Sequence, residues 1–351
     1  MPPASYSFED LSGIQSGTFE NPYDALIEAC NNDPIQARYT THRTTRATQQ
    51  KAKLLSPDFT GLIVDPILKR LEDPTIEPGF TDPRHCLVFW ARPPQQVKEL
   101  IGAIQQKLLT AAPRETHPSL ALSIKKDTSA QAHSEPLLTP PPPPPDLWLM
   151  PSENLHMTAL EITHSLTAPE IAPLITTLRP SIPALTEHTL THRARLIKPL
   201  LSYDAQALAL SYVPAARGCS PPGRTQPPDD DDAYSYHHLR RDLHALATRA
   251  GVQVQSRYVV PSAHLTIARF VEAGDFEGRE SGRPDREKIE ALVGVVEEVN
   301  RWLEAEYWPG EGDGRVRAGG EWIVGEEKGL DCREGALWYG GGTTVGLGRG
   351  F

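Results

Sequence analysis

Two short stretches hold the residues best suited to chemistry. Trp148–Leu160 reads WLMPSENLHMTAL and Tyr258–Phe270 reads YVVPSAHLTIARF. Each has an aromatic (Trp148, Tyr258), two apolar residues and a proline (Pro151, Pro261). After a spacer of four residues in the first and two in the second comes His-apolar-Thr-apolar. Two histidines converging on one cleft can serve as general base and general acid, because an imidazole titrates near neutrality. Threonine hydroxyls can donate hydrogen bonds to the non-bridging oxygens of a phosphate. The chemistry that fits is phosphodiester cleavage: one histidine deprotonates the attacking water or hydroxyl and the other protonates the leaving oxygen. No metal is needed, and none of the usual metal-ligand spacings is present.

In a strand, alternate residues share a face. His156 and Thr158 then point one way and Leu155, Met157 and Ala159 the other; His264 and Thr266 are set against Leu265 and Ile267 in the same manner. Strict alternation turns Glu161 away from His156. It also turns Arg269, an attractive phosphate ligand, away from His264 and Thr266 unless a bulge intervenes. Trp148 and Tyr258 are candidates for stacking on a base, with the core as their alternative place. His-x-Thr alone carries little information. A third copy, His42-Arg43-Thr44, lies in a polar basic stretch and is set aside.

The elements that must position these residues are legible from periodicity. Residues 1–83 read as a helical and irregular extension. In it 38–53 carries Arg38, Arg43, Arg46, Lys51 and Lys53 without an acid, a solvated helix face or a phosphate-contacting one. Residues 84–351 read as one domain. HCLVFWARPP (85–94) is a strand closed by prolines, and the helical spacing of Val97, Leu100, Ile101, Ile104 and Leu108 follows it. A strand-like run spans 146–162, a short helix begins near 168, and two strands over 192–214 join at Ser202–Gln206. A helix spans 234–251, the strand 258–270 follows, and then a long helix over 285–308. Strands over 321–327 and 335–340 close the chain. This order repeats as two similar α+β units. Two segments, 113–145 with its six prolines and 215–233, read as disordered insertions, with Asp229–Asp232 in a solvated loop.

Bulk properties bound the rest. A chain of 351 residues, 39% hydrophobic, can bury a sizeable core. No run approaches the ~18 apolar residues of a membrane span. The N-terminus has neither the basic region nor the apolar stretch of a secretion signal. Four scattered cysteines make a disulfide framework or zinc ribbon an unfavoured reading, so cytoplasm or nucleus is expected. The net charge of −10 is local: residues 271–334 hold 18 acidic and 9 basic residues, which argues against a broad nucleic-acid surface there. His237, His238 and His244 read as part of an amphipathic surface helix rather than a zinc site. Cys219 and Cys332 read as loop thiols without a partner histidine, and the glycine-rich end 340–351 as a flexible or strand-pairing tail.

The paired His-x-Thr segments in an α+β chain resemble the two-histidine phosphoesterase superfamily. AHLTIARF (263–270) looks especially like its RNA ligase/cyclic nucleotide phosphodiesterase branch. The chain as a whole, including SYSFEDLSG and NPYDALIEAC, is similar to filamentous-fungal proteins of that family, and the motif resemblance covers roughly 84–345. It implies two pseudo-symmetric lobes with antiparallel sheets facing a central groove, one His-x-Thr strand from each, plus the helical N-terminal extension. It implies His156 and His264 as the acid/base pair, Thr158 and Thr266 as the phosphate clamp, and no cofactor. The expected ligand is a small nucleotide or an RNA end with a cyclic phosphate, hydrolysed to a 2′-phosphate by a monomer that needs neither metal nor membrane. Two other readings stand beside it: a 3′-end RNA-trimming exonuclease, and a non-catalytic nucleotide- or RNA-binding module on the same scaffold.

Overall fold

A computed structural model describes residues 9–14, 19–30, 35–111, 146–215, 230–278, 283–310 and 316–351. The segment 113–145, and Cys219 with most of 215–233, lie outside them. The chain is α+β. Helices α1 (Asp24–Ala29), α2 (Ile35–Leu54) and α3 (Pro66–Glu72) precede strand β1 (His85–Ala91) and helix α4 (Gln95–Ala111). Then come β2 (Leu147–Leu149), β3 (Met157–Leu166), α5 (Ala168–Leu178), α6 (Ile182–Thr186), β4 (Arg195–Tyr203) and β5 (Ala207–Pro214). The chain continues through α7 (Tyr236–Arg249), β6 (Ala263–Phe270), α8 (Arg286–Tyr307), β7 (Glu321–Ile323), β8 (Lys328–Ala336) and β9 (Thr343–Arg349).

The strands form two antiparallel sheets, β3-β1-β8-β9 and β2-β6-β5-β4-β7. One His-x-Thr segment belongs to each. Neither sheet comes from one half of the sequence, because β8 and β9 return to pair beside β1 while β2 crosses to pair with β6. The run 146–162, one element by pattern, is split by Pro151 and a 3₁₀ turn at Ser152–Asn154, so its two ends serve different sheets. Tyr258–Ser262 is irregular and the expected strand begins only at Ala263, past Pro261, which lacks the N–H a ladder needs. The glycine-rich end is strand β9.

Leu87, Phe89, Leu160, Ile162, Leu265 and Ile267 build the main core with the apolar stripes of α4 and α8. A smaller cluster on the other face of β1 joins Cys86, Val88 and Trp90 to Leu337 and Trp338. Several expected surface features are interior. His237 on α7 is buried and bonded to Tyr39 and to the Tyr23 carbonyl. Cys332 is a buried β8 residue whose thiol burial pushes up to about 12, not a loop thiol. At the edge of the second insertion Asp230–Ala233 forms a 3₁₀ turn, and Asp232 pairs with Arg195 rather than lying solvated. No described helix is long and apolar enough to cross a membrane.

Candidate active site

Register decides which side chains share a face. In β5–β6 pairing, Ser211 lies opposite His264, Ala209 opposite Thr266 and Ala207 opposite Arg269. Between the last two pairs β6 has one residue too many: Leu208 faces Ala268, and Ile267 is extra. That bulge resets the alternation, so Arg269 joins His264 and Thr266 on one face, contrary to strict alternation. Strand β3 repeats the device. Trp90 faces Thr158, Phe89 faces Leu160 and Val88 faces Glu161, leaving Ala159 extra. Glu161 therefore shares the face of Thr158, also contrary to the regular-strand expectation. Each copy thus presents His, Thr and, three residues after the Thr, a charged group: negative in the first and positive in the second.

A cavity of about 470 Å³ opens against β6, within the size range of small-molecule sites. His264, Thr266, Arg269 and Tyr258 line it, with Arg257, Arg84 and Trp338 at one side. Five arginines line it against two aspartates, although the chain is acidic overall. Arg257 is the unforeseen member. It is held by Glu161, whose carboxylate takes the Arg257 backbone N–H at 3.0 Å, Nε at 3.0 Å and Nη2 at 2.5 Å. Arg84 and Arg257 both stack on Trp338, at 4.4 and 4.6 Å from the ring centre. Arg269 Nε, Arg43 Nε and Trp338 Nε1 are buried donors with no acceptor among the described residues, and all three residues line the cavity. Buried donors without partners are costly, and an anion would satisfy them.

His156 sits one residue before β3. Its ring stacks on Trp90, 3.8 Å between centres and 18° from parallel, and it does not line the cavity. Thr158 does not line it either; its carbonyl accepts from the Tyr236 hydroxyl. The positive groups acting on His156 nevertheless include His264 and Arg269, so the two histidines lie within each other's field. Burial and then Arg92 depress His156 to about 3, against the Asn154 bond that raises it. Burial, then Arg46, Arg240 and His42, depress His264 to about 4. His156 Nδ1 is 2.7 Å from the Asn154 carbonyl. A carbonyl only accepts, so the neutral ring carries its proton on Nδ1 and leaves Nε2 as the base. His264 Nδ1 is paired with the Ser262 hydroxyl at 2.9 Å.

Trp148 lies on β2, half-buried and edge-on to Tyr339 at 6.3 Å, and is not in the cavity wall; Tyr258 is, with its ring 5.9 Å from His264. The basic stretch is α2, and it is solvated only in part: Lys51 and Lys53 are exposed, whereas Tyr39, His42 and Arg43 are buried and line the cavity. Periodicity could not reveal this, because α2 packs through polar groups. Comparing the two motif copies three residues past each threonine would have flagged Glu161 and Arg269 together. Among the described residues no group of three or more His, Cys, Asp or Glu side chains could hold a metal. A scan against protein-family models gives no match, and neither does a search of the curated proteins.

Two predictions follow from these placements. Gly340 (φ 84°) packs against Asn154, and an added Cβ would come 2.4 Å from the Asn154 Cβ. Gly340→Ala should displace the carbonyl that orients His156, and loss of the ordered Nδ1–H signal in NMR would report it. Second, imidazoles held at about 3 and about 4, below the ordinary 6.5, bind fewer protons folded than unfolded. Stability should therefore fall as pH drops from 6.5 towards 4. Thermal melts across that window should show a shallower fall for His264→Gln than for the native protein; equal slopes would contradict the assignment.

Proposed function

We propose that this protein is a metal-independent phosphodiesterase that opens a 2′,3′-cyclic phosphate on a nucleotide or RNA end, leaving a 2′-phosphate. One observation carries this reading: the β6 bulge sets His264, Thr266 and Arg269 together on the wall of a basic cavity, with His156 in electrostatic reach. In this reading the two sheets form paired lobes about a shared groove. Thr266 and Arg269, in the cavity wall, hold the non-bridging phosphate oxygens, Thr158 joins them from the other sheet once the phosphate reaches His156, and Tyr258 borders the base. His156 Nε2 takes a proton from water as its oxygen bonds to phosphorus. The P–O3′ bond breaks, and His264 gives its proton to the 3′ oxygen. One water is consumed and both imidazoles are reset by proton exchange with solvent. The low pKa of His264 in the free protein means that the acid must be charged by the arriving phosphate anion, which favours imidazolium.

Hydrolysis of 2′,3′-cyclic AMP and of a short RNA ending in a cyclic phosphate, both in EDTA, tests the proposal, with phosphorus NMR to identify the isomer. Turnover to a 2′-phosphate is expected; no turnover of either substrate would overturn it. Thr266→Val should cost about 10-fold or more in kcat/KM, the worth of a hydrogen bond to a charged group, measured on the same substrates. A second reading, binding without turnover, draws on the stacking of His156 against Trp90 outside the cavity wall. Nucleotide binding with intact protein and no hydrolysis would establish it.

A further inference from the structure

The cavity is larger than one phosphate needs, and its charge is not spread evenly. Arg84 and Arg257 stack on Trp338 in one part of the wall. Helix α2 places Tyr39, His42, Arg43 and Arg46 in another part of it. Of the wall residues, Arg46 and His42 act on His264, and Arg269 acts on His156.

Arg43 is the unusual member of this wall. It is 7% exposed, and burial pulls its guanidinium down to about 10. Its Nη1 donates to the carbonyls of Lys198 (2.8 Å) and Ser211 (3.4 Å). Nε has no acceptor among the described residues, and Arg43 makes no ion pair with a described carboxylate. The carboxylate acting on it is Glu304, which offsets burial only in part; a buried guanidinium without a contacting counter-charge is costly, and a ligand anion in the cavity would supply one. Arg46, by contrast, is a half-exposed partner of Asp204 at 2.8 Å. His42 Nδ1 accepts the Leu11 backbone N–H at 3.0 Å. An amide only donates, so the neutral His42 ring carries its proton on Nε2, giving α2 a further donor.

We infer that α2 forms a second anion subsite in this cavity, which holds another phosphate of the same substrate beside the one cleaved. Arg43 and Arg46 supply its charge, and His42 a hydrogen bond from Nε2. The inference rests on the phosphodiesterase reading for the position of the first phosphate. It gives the N-terminal extension a role in recognition, and it selects nucleotides carrying at least two phosphates over simple cyclic mononucleotides. The second phosphate can come from a 5′-monoester or from the internucleotide linkage of an RNA end.

Binding to the full chain tests this without requiring turnover. Isothermal titration would use adenosine 2′-monophosphate, adenosine 2′,5′-bisphosphate and a diadenosine ending in a 2′-phosphate. The comparison is between native protein, Arg46→Gln and Arg43→Lys, each checked for native melting. In the native protein the second phosphate should tighten binding by about 10-fold or more, the worth of charge-assisted contacts. In Arg46→Gln, whose half-exposed site tolerates change, that ratio should fall towards one; Arg43→Lys should reduce it too. A gain with the bisphosphate alone assigns a terminal monoester, and a gain with both ligands assigns any phosphate at that position. A native ratio near one, or a ratio unchanged in both variants, would overturn the subsite. Bisphosphate binding that depends on Arg46 while the monophosphate fails to bind would leave the subsite standing and sink the reading of the first phosphate. Failure of every ligand to bind would sink both.

Discussion

Replacing either His156 or His264 with alanine is expected to lower kcat on a cyclic phosphate by about 10³-fold, within the usual range for a general acid or base. Replacing both should cost little more than replacing one, because residues acting as a unit are strongly non-additive. KM should change little, since the threonines and Arg269 hold the phosphate. The two losses should differ in pH dependence. His156, with Nδ1–H tied to the Asn154 carbonyl, is assigned as base, so His156→Ala should remove the acid-side limb of the profile. His264→Ala should remove the alkaline limb, where the acid loses its proton. Steady-state assays from about pH 3, where His156 is half-protonated, to pH 9 would check this, and full activity in either single variant would contradict the pairing.

Glu161→Ala is expected to destabilise the fold by about 3–5 kcal/mol, the cost of leaving one partner of a buried ion pair alone. Glu161 is 2% exposed and satisfies Arg257 through both oxygens. Without it, Arg257 keeps its charge against the Trp338 ring with no carboxylate in contact. Denaturant unfolding would measure the loss. Arg257→Leu/Glu161→Leu together should recover most of it, which separates a buried-charge cost from a packing cost. A loss below about 1 kcal/mol, the size seen for exposed pairs, would show that the pair is solvated.

How much of this was legible follows from particular residues. The α+β class, the helices α4 and α8 and the β4–β5 hairpin stand in the hydrophobic periodicity; α7 does so only in part, because its buried face adds His237 and Arg240 to Leu239, Leu243 and Ala247. The His-x-Thr copies stand out through their shared proline and aromatic framing. Period-two reasoning failed at Glu161 and Arg269 because single inserted residues, Ala159 and Ile267, are invisible to it. It also missed α2, whose buried face is made of Tyr39, His42 and Arg43. Their burial depends on tertiary partners such as the carbonyls of Lys198 and Ser211. The strand crossings that place β2 and β8 in the sheets opposite to sequence order are long-range pairings that no local pattern encodes.

The proposed mechanism requires the two His-x-Thr segments, from different sheets, to form one site. Titrating adenosine 2′-monophosphate into isotope-labelled protein, while following the side-chain nitrogens of His156 and His264 by NMR, tests it most directly. Both imidazoles should shift along one saturation curve with one Kd, and the pKa of His264 should rise above about 4 as the phosphate arrives. A shift confined to His264, with His156 unmoved on Trp90, would contradict it.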